Sequence, residues 1–156
     1  MLDAFWRNTR RTVSDQVLWK GVCLAERRDR HGRITGRRIS ENVICTAGKN
    51  KILLYTAGSL LSTFKYMAVG SSATSVAASD TVLGAQLAIS SAITPSNPSA
   101  TILQFVNTFA AGVATGNHQE LGLFDASSAG TIISHLNQSA LNIGAADSCA
   151  YTYQLS

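Results

Sequence analysis

Near the end of the chain, His118, Glu120 and Asp125 form the one close grouping of residues able to ligate a metal or move a proton. On a strand, side chains two positions apart point the same way, so His118 and Glu120 could share a ligand. Two ligands do not complete a site, and His135 falls in another strand whose register the sequence does not give. No glycine-rich phosphate loop, nucleophile elbow or spaced carboxylate pair accompanies them. The reading is therefore of no catalytic residue, no metal ligand and no cofactor. The three cysteines, Cys23, Cys45 and Cys149, lie far apart in the apolar runs GVCLA, VICTA and SCAYTY. They form neither a CxxC nor a Cys/His pair, and read as free thiols at small core positions.

Charge is the second chemical feature. Residues 1–51 hold twelve of the thirteen Lys and Arg against five acids, a net +7; residues 52–156 hold Lys65 against Asp80, Glu120, Asp125 and Asp147, a net −3. Five charged side chains in those 105 residues is sparse, where about a quarter is usual in soluble domains. Such a surface is either a neutral Ser/Thr-rich β face or is covered by other subunits. Coverage is the expectation, because interface cores are depleted in charge. Arg27, Arg28, Arg30, Arg33, Arg37 and Arg38 gather in one stretch. No aromatic platform interrupts them as a single-strand binder requires, so nucleic acid is not an expected partner. A solvated hairpin tip or a patch for an acidic protein surface is. At the start, Phe5 and Trp6 stand among Arg7, Arg10 and Arg11. This is an arm whose aromatics dock on a neighbour, or a frayed terminus.

The elements that must position these residues are mostly strands. With 156 residues and 46% hydrophobic content, the chain is long enough for one packed domain. Its apolar stretches fall short of the roughly 20 residues that cross a bilayer, and its start lacks the apolar centre of a secretory signal, so no membrane is expected. Residues 17–28 and 34–45 read as a hairpin turning at Asp29-Arg30-His31-Gly32. Thr46 is the expected cap of a helix over 47–57, with Ile52, Leu53 and Tyr55 as its apolar stripe, Lys49 and Lys51 outside, and Gly58 as its stop. Further strands are expected at 64–69, 86–93, 101–110, 118–125, 131–136 and 148–155, with TPSNPS (94–99) a turn and 137–142 a break. Ser79 or Asp80 is expected to cap one helical turn over 81–83 that Gly84 ends. The resulting organisation is an extended N-terminal arm, 1–16, and one domain, 17–156. That domain is mainly β, an antiparallel β-sandwich of jelly-roll or Ig-like kind with seven to nine strands and one short helix near 47–57.

Three blocks carry a family resemblance. The junction SENVICTAGKNKILL (40–54), the stretch AVGSSATSVAASDTVLGAQL (68–87) and the segment QELGLFDASSAGTIISHL (119–136) occur in this order and span roughly two thirds of the chain. Together they resemble motifs of small virion structural proteins of tailed bacteriophages. Ala129-Gly130 stands where that family has a glycine pair. The resemblance implies structural roles for Asn42, Thr46, Gly48, Lys49, Gly70, Asp80, Leu83, Gly84, Glu120, Gly122, Phe124 and Asp125. It also implies that Glu120 and Asp125 hydrogen-bond loop backbone.

The resulting expectation is a non-enzymatic component of a tailed-phage virion, made in the host bacterial cytoplasm. It would be a capsid decoration (cement) protein assembling as a homo-oligomer, a trimer suiting a capsid three-fold position. Its partners would be itself and the major capsid protein or tail and portal components. Phe5, Trp6, Arg7, Arg10, Arg11, Arg27, Arg28, Arg30 and Arg33 are the expected particle-binding residues. The alternatives are a tail, neck or fibre-adaptor protein, or a carbohydrate- or receptor-binding module. A sugar site usually presents exposed aromatics beside Asp, Asn or Glu, and aromatics here are 7% of residues, mostly alternating into presumed core faces.

Overall fold

Alternation along the chain decides the architecture. In Ser148–Leu155 every second side chain is buried, and Cys149, Tyr151 and Tyr153 are wholly so, as a strand with one face on a core requires. The computed structural model describes residues 20–56, 58 and 64–156; the expected arm lies outside them. Among the described residues there are nine strands: β1 (Gly21–Arg28), β2 (Ile34–Ile44), β3 (Tyr66–Gly70), β4 (Gln86–Ile89), β5 (Ser96–Ser99), β6 (Ile102–Phe109), β7 (Gly116–Phe124), β8 (Ile132–Ile143) and β9 (Ser148–Leu155). They form one antiparallel sheet in the order β4-β3-β7-β8-β2-β1-β9-β6-β5. One helix, α1 (Thr46–Thr56), follows β2. Among the described residues the fold is thus mainly β, an antiparallel sandwich with one short helix.

The joint is β2. Residues 34–41 pair with β1, whereas 42–44 pair with β8, so the sheet curls there and its halves face each other. The chain fills the halves alternately, with β3–β4 and β7–β8 on one, β5–β6 on the other, and β9 between β1 and β6. Between them Cys23, Phe105, Phe109, Tyr151 and Tyr153 meet Met67, Val69, Leu121, Leu123, Leu136 and Leu141. The Phe109 ring stands edge-on to Tyr151, centroids 6.0 Å apart. A second cluster, Cys45, Ala68, Leu83, Phe124 and Ile132, lies on the opposite face of the β3–β7–β8 half. β7 is therefore buried on both faces. At the sheet's two edges, β5 carries Pro98 and β4 is four residues long, which blunts edge-to-edge pairing.

The β1–β2 turn follows its sequence. Asp29 accepts backbone N–H bonds from His31 and Arg33, and Gly32 takes the left-handed φ of 78° that closes the turn.

Several expectations are corrected. The helix is capped by Cys45, not Thr46: the Cys45 carbonyl accepts from the Lys49 N–H, and the Thr46 N–H is spent on the Ala78 carbonyl. The inward face of α1 is Gly48, Lys51 and Ile52 rather than a stripe through Leu53, which is 67% exposed. Residues 81–83 form no helical turn, because the Asp80 carboxylate turns back to the Ala77 N–H (2.8 Å) instead of capping forward. The expected turn at 94–99 contains β5. The expected break at 137–142 is the continuation of β8. There Asn137 and Gln138 spend their amides on the Ser72, Thr74 and His118 carbonyls, while Leu141 and Ile143 enter the core.

Candidate functional site

Glu120 is the centre of the polar interior. It stands in β7 opposite Gly70 of β3 and is 2% exposed. Its Oε1 accepts from the Ser72 N–H (3.2 Å) and the Ala85 N–H (2.7 Å), and its Oε2 from the Gly84 N–H (2.9 Å). A carboxylate with three backbone donors is a compensated buried charge rather than a stray one. The strand pair brings it there, and Gly70 makes room. A Cβ at 70 would overlap Glu120 Oε1 and approach the Ala85 carbonyl at 2.6 Å. The loop 71–85 is thus closed around one side chain.

His135 completes the cluster. Its Nε2 lies 3.2 Å from Glu120 Oε2 and its Nδ1 2.7 Å from Asp80 Oδ2. With both carboxylates ionised, both ring nitrogens must carry protons. The Asp80 carboxyl is held below its ordinary range, chiefly by the Ala77 N–H and then by His135, against a desolvation cost. A triad of the hydrolase kind needs one imidazole nitrogen turned to a nucleophile. Here both face carboxylates, so the arrangement fastens a loop and leaves no ring nitrogen for proton transfer. Leu83 inserts beneath the same loop, against Phe124 and Ile132, and Gly122 lies between the Phe124 ring and Leu83.

His118 does not join this cluster. A register shift between His118 and Glu120 breaks the two-residue alternation, so the side chains point to opposite faces of β7. His118 enters the main core, its Nε2 2.5 Å from the Ala114 carbonyl and its Nδ1 2.5 Å from the Tyr151 hydroxyl. The carbonyl can only accept, so Nε2 carries the proton and Tyr151 donates to Nδ1. Burial depresses the His118 pKa, against the Ala114 bond. A ligand shared by His118 and Glu120, which simple alternation would permit, is excluded by this geometry. Among the described residues no three His, Cys, Asp or Glu are grouped to hold a metal ion.

Asp125 ties the β7–β8 turn to the helix. Oδ1 accepts from the Thr131 N–H (2.6 Å), and Oδ2 pairs with Lys51 Nζ at 2.8 Å. Gly48 lets α1 rest on β8, since a Cβ there would overlap the Ile133 carbonyl. Lys49 is exposed. Asn42 donates to the Tyr153 hydroxyl, which also bonds Ser134 Oγ, so β2, β9 and β8 are joined across the core. Cys45 and Cys149 are buried thiols, each pushed up to about 11 by burial, and Cys23 is pushed higher still. Free thiols raised this far are poor nucleophiles.

The hairpin arginines are mostly spent within the chain. Arg28 and Arg37 both pair with Glu26, at 2.8 and 2.5 Å, and Arg33 pairs with Asp29 at 2.9 Å. Arg27 donates to the Asn142 carbonyl, Arg38 to those of Ser139 and Ala140, and Arg30 to His31. Phe5, Trp6, Arg7, Arg10 and Arg11 lie outside the described residues. Sequence reasoning did not find the Asp80–His135–Glu120 contact, whose members are separated by 40 and 15 residues and meet only through strand register. The nearest signal was that Asp80, Gly84 and Glu120 belong to the same resemblance. No protein-family model, curated protein or solved structure matches the chain.

Proposed function

We propose that this protein is a non-enzymatic structural component of a tailed-phage virion, a capsid decoration protein that assembles with copies of itself. One observation carries the reading. The three sequence blocks that resemble virion proteins interlock into one substructure whose polar side chains hold backbone rather than line a cleft. Glu120 of the third block binds the Gly84 and Ala85 N–H groups of the second. Ala78, also of the second, accepts from Thr46 of the first, and Lys51 of the first pairs with Asp125 of the third. Chemistry spent on fixing loops suits a rigid shell subunit.

The basic N-terminal third supplies the particle contact in this reading. With Arg28, Arg33 and Arg37 paired internally, the apolar anchors Phe5 and Trp6 carry more of the attachment than the hairpin tip. A trimer suits a three-fold position on the shell. The test is cryo-electron microscopy of particles labelled through this protein, with a second preparation lacking residues 1–12. Label at capsid three-folds supports decoration; label at tail or neck replaces it with the tail-associated alternative; no label on particles overturns the virion reading. The truncated protein is expected to fold and to fail to join particles. Normal occupancy of the truncated form would remove the arm from the attachment.

A further inference from the structure

Among the described residues nothing covers the outward face of the β2–β1–β9–β6 half. Strand register sets its side chains in three rows: Glu41–Val22–Gln154–Gln104, Ile39–Leu24–Thr152–Val106, and Arg37–Glu26–Ala150–Thr108. The alternate positions, Cys23, Ala25, Phe105, Tyr151 and Tyr153, fill the core. Ile39 is 71% exposed, Val106 49% and Val22 42%, so the face presents apolar side chains on three of its four strands. Isolated surface apolar residues mean little, but Val22, Leu24, Ile39 and Val106 stand around Thr152 on one face, and such a grouping marks an interaction site.

Charge selects the occupant. At one end of the face Arg28 and Arg37 share the single carboxylate of Glu26, leaving an excess positive charge. At the other end Glu41 is exposed and has no ion-pair partner among the described residues. A uniformly acidic partner would meet Glu41, and a uniformly basic one would meet the arginines. A second copy turned about a two-fold axis along the middle row meets neither obstacle. The apolar row then lies on itself and each Glu41 faces the other copy's Arg37, twice over. Lys20 and Arg28 face each other only at the exposed rim, where solvent and salt screen their repulsion.

We propose that this face is a two-fold contact between copies of the chain; this rests on, and makes specific, the self-assembly reading above. Four strands about 4.8 Å apart and eight residues of about 3.3 Å give roughly 500 Å² of flat face per copy. The total of about 1,000 Å² stands at the lower edge of specific interfaces, so the pair is concentration-dependent rather than permanent. It is compatible with trimers, since two-folds join neighbouring three-folds on a closed shell.

Sedimentation velocity on the purified full chain across a concentration series tests the contact. Wild type is expected to self-associate reversibly. Ile39→Asp is expected to lose that association, at least tenfold in Kd, with an unchanged far-UV spectrum. Thr152→Cys, at the centre of the face, is expected to be crosslinked to its counterpart by a short bis-maleimide that spans the roughly 10 Å between packed sheets, the native thiols being buried. Glu41→Arg is expected to weaken association, and Glu41→Arg combined with Arg37→Glu to recover it. Association undiminished by Ile39→Asp, or Thr152→Cys remaining uncrosslinked while wild type associates, would overturn the proposal. A wild-type chain that labels particles but never pairs through this face sinks the contact and spares the virion reading. A chain that pairs in solution but is absent from particles does the reverse.

Discussion

Replacing Glu120 by Gln keeps shape and removes one acceptor, which isolates what the buried carboxylate does. The amide oxygen placed at Oε1 still accepts from Ser72 and Ala85. The NH2 group then stands at the Oε2 position, 2.9 Å from the Gly84 N–H, donor against donor. It can still donate to His135 Nε2 if the imidazole sheds that proton and keeps its Nδ1 bond to Asp80. One buried backbone donor is left unpaired, about 1–3 kcal/mol. The two surviving bonds fall from charge-assisted to neutral strength, and relief of burying a charge offsets part of this loss. The net destabilisation is about 2–3 kcal/mol. In urea, with a slope near 2 kcal/mol per molar, the midpoint should drop by roughly 1–1.5 M with the slope unchanged. Amide hydrogen exchange should quicken most at Ser72, Gly84 and Ala85, the donors that Glu120 serves. A midpoint within about 0.3 M of wild type, with the Gly84 amide equally protected, would refute the view that Glu120 holds the 71–85 loop.

Gly48→Ala drives a methyl into the Ile133 carbonyl, so α1 must lift from β8; a loss of about 3 kcal/mol by chemical denaturation is expected. Ala129 holds a left-handed φ of 50° in the β7–β8 turn, and Ala129→Gly should raise stability by about 0.5–1 kcal/mol, read as a higher thermal midpoint. His118 has a folded pKa depressed below its ordinary 6.5 by burial. The unfolded chain therefore binds the extra proton more readily: stability is fully present above about pH 6.5 and is lost as pH falls through the folded value. A pH series of urea midpoints for wild type and His118→Gln checks this, the variant losing that part of the acid dependence. Equal slopes below pH 6.5 would count against a neutral buried imidazole.

The sequence by itself determined what depends on neighbours along the chain. The period of two over 148–155 and 101–110 became β9 and β6, because alternation survives wherever one face meets the core. Asp29 and Gly32 set the β1–β2 turn through their own local bonds, and the buried state of the three cysteines followed from their apolar surroundings. What failed locally was what distant partners override. Asn137 and Gln138 look like a loop until the 71–74 carbonyls and His118 take their amides. Asp80 looks like a cap until His135 and the Ala77 N–H claim it. Tertiary structure alone decided the site, because the bulge beside His118 reverses the facing of every later residue in β7. That register shift sends His118 to Tyr151 in the core and Glu120 to the loop, and an irregularity in register leaves no mark on a period read from sequence. The curl at β2 is of the same kind: which of two neighbours a strand pairs with along its length is fixed only when both halves close on a common core.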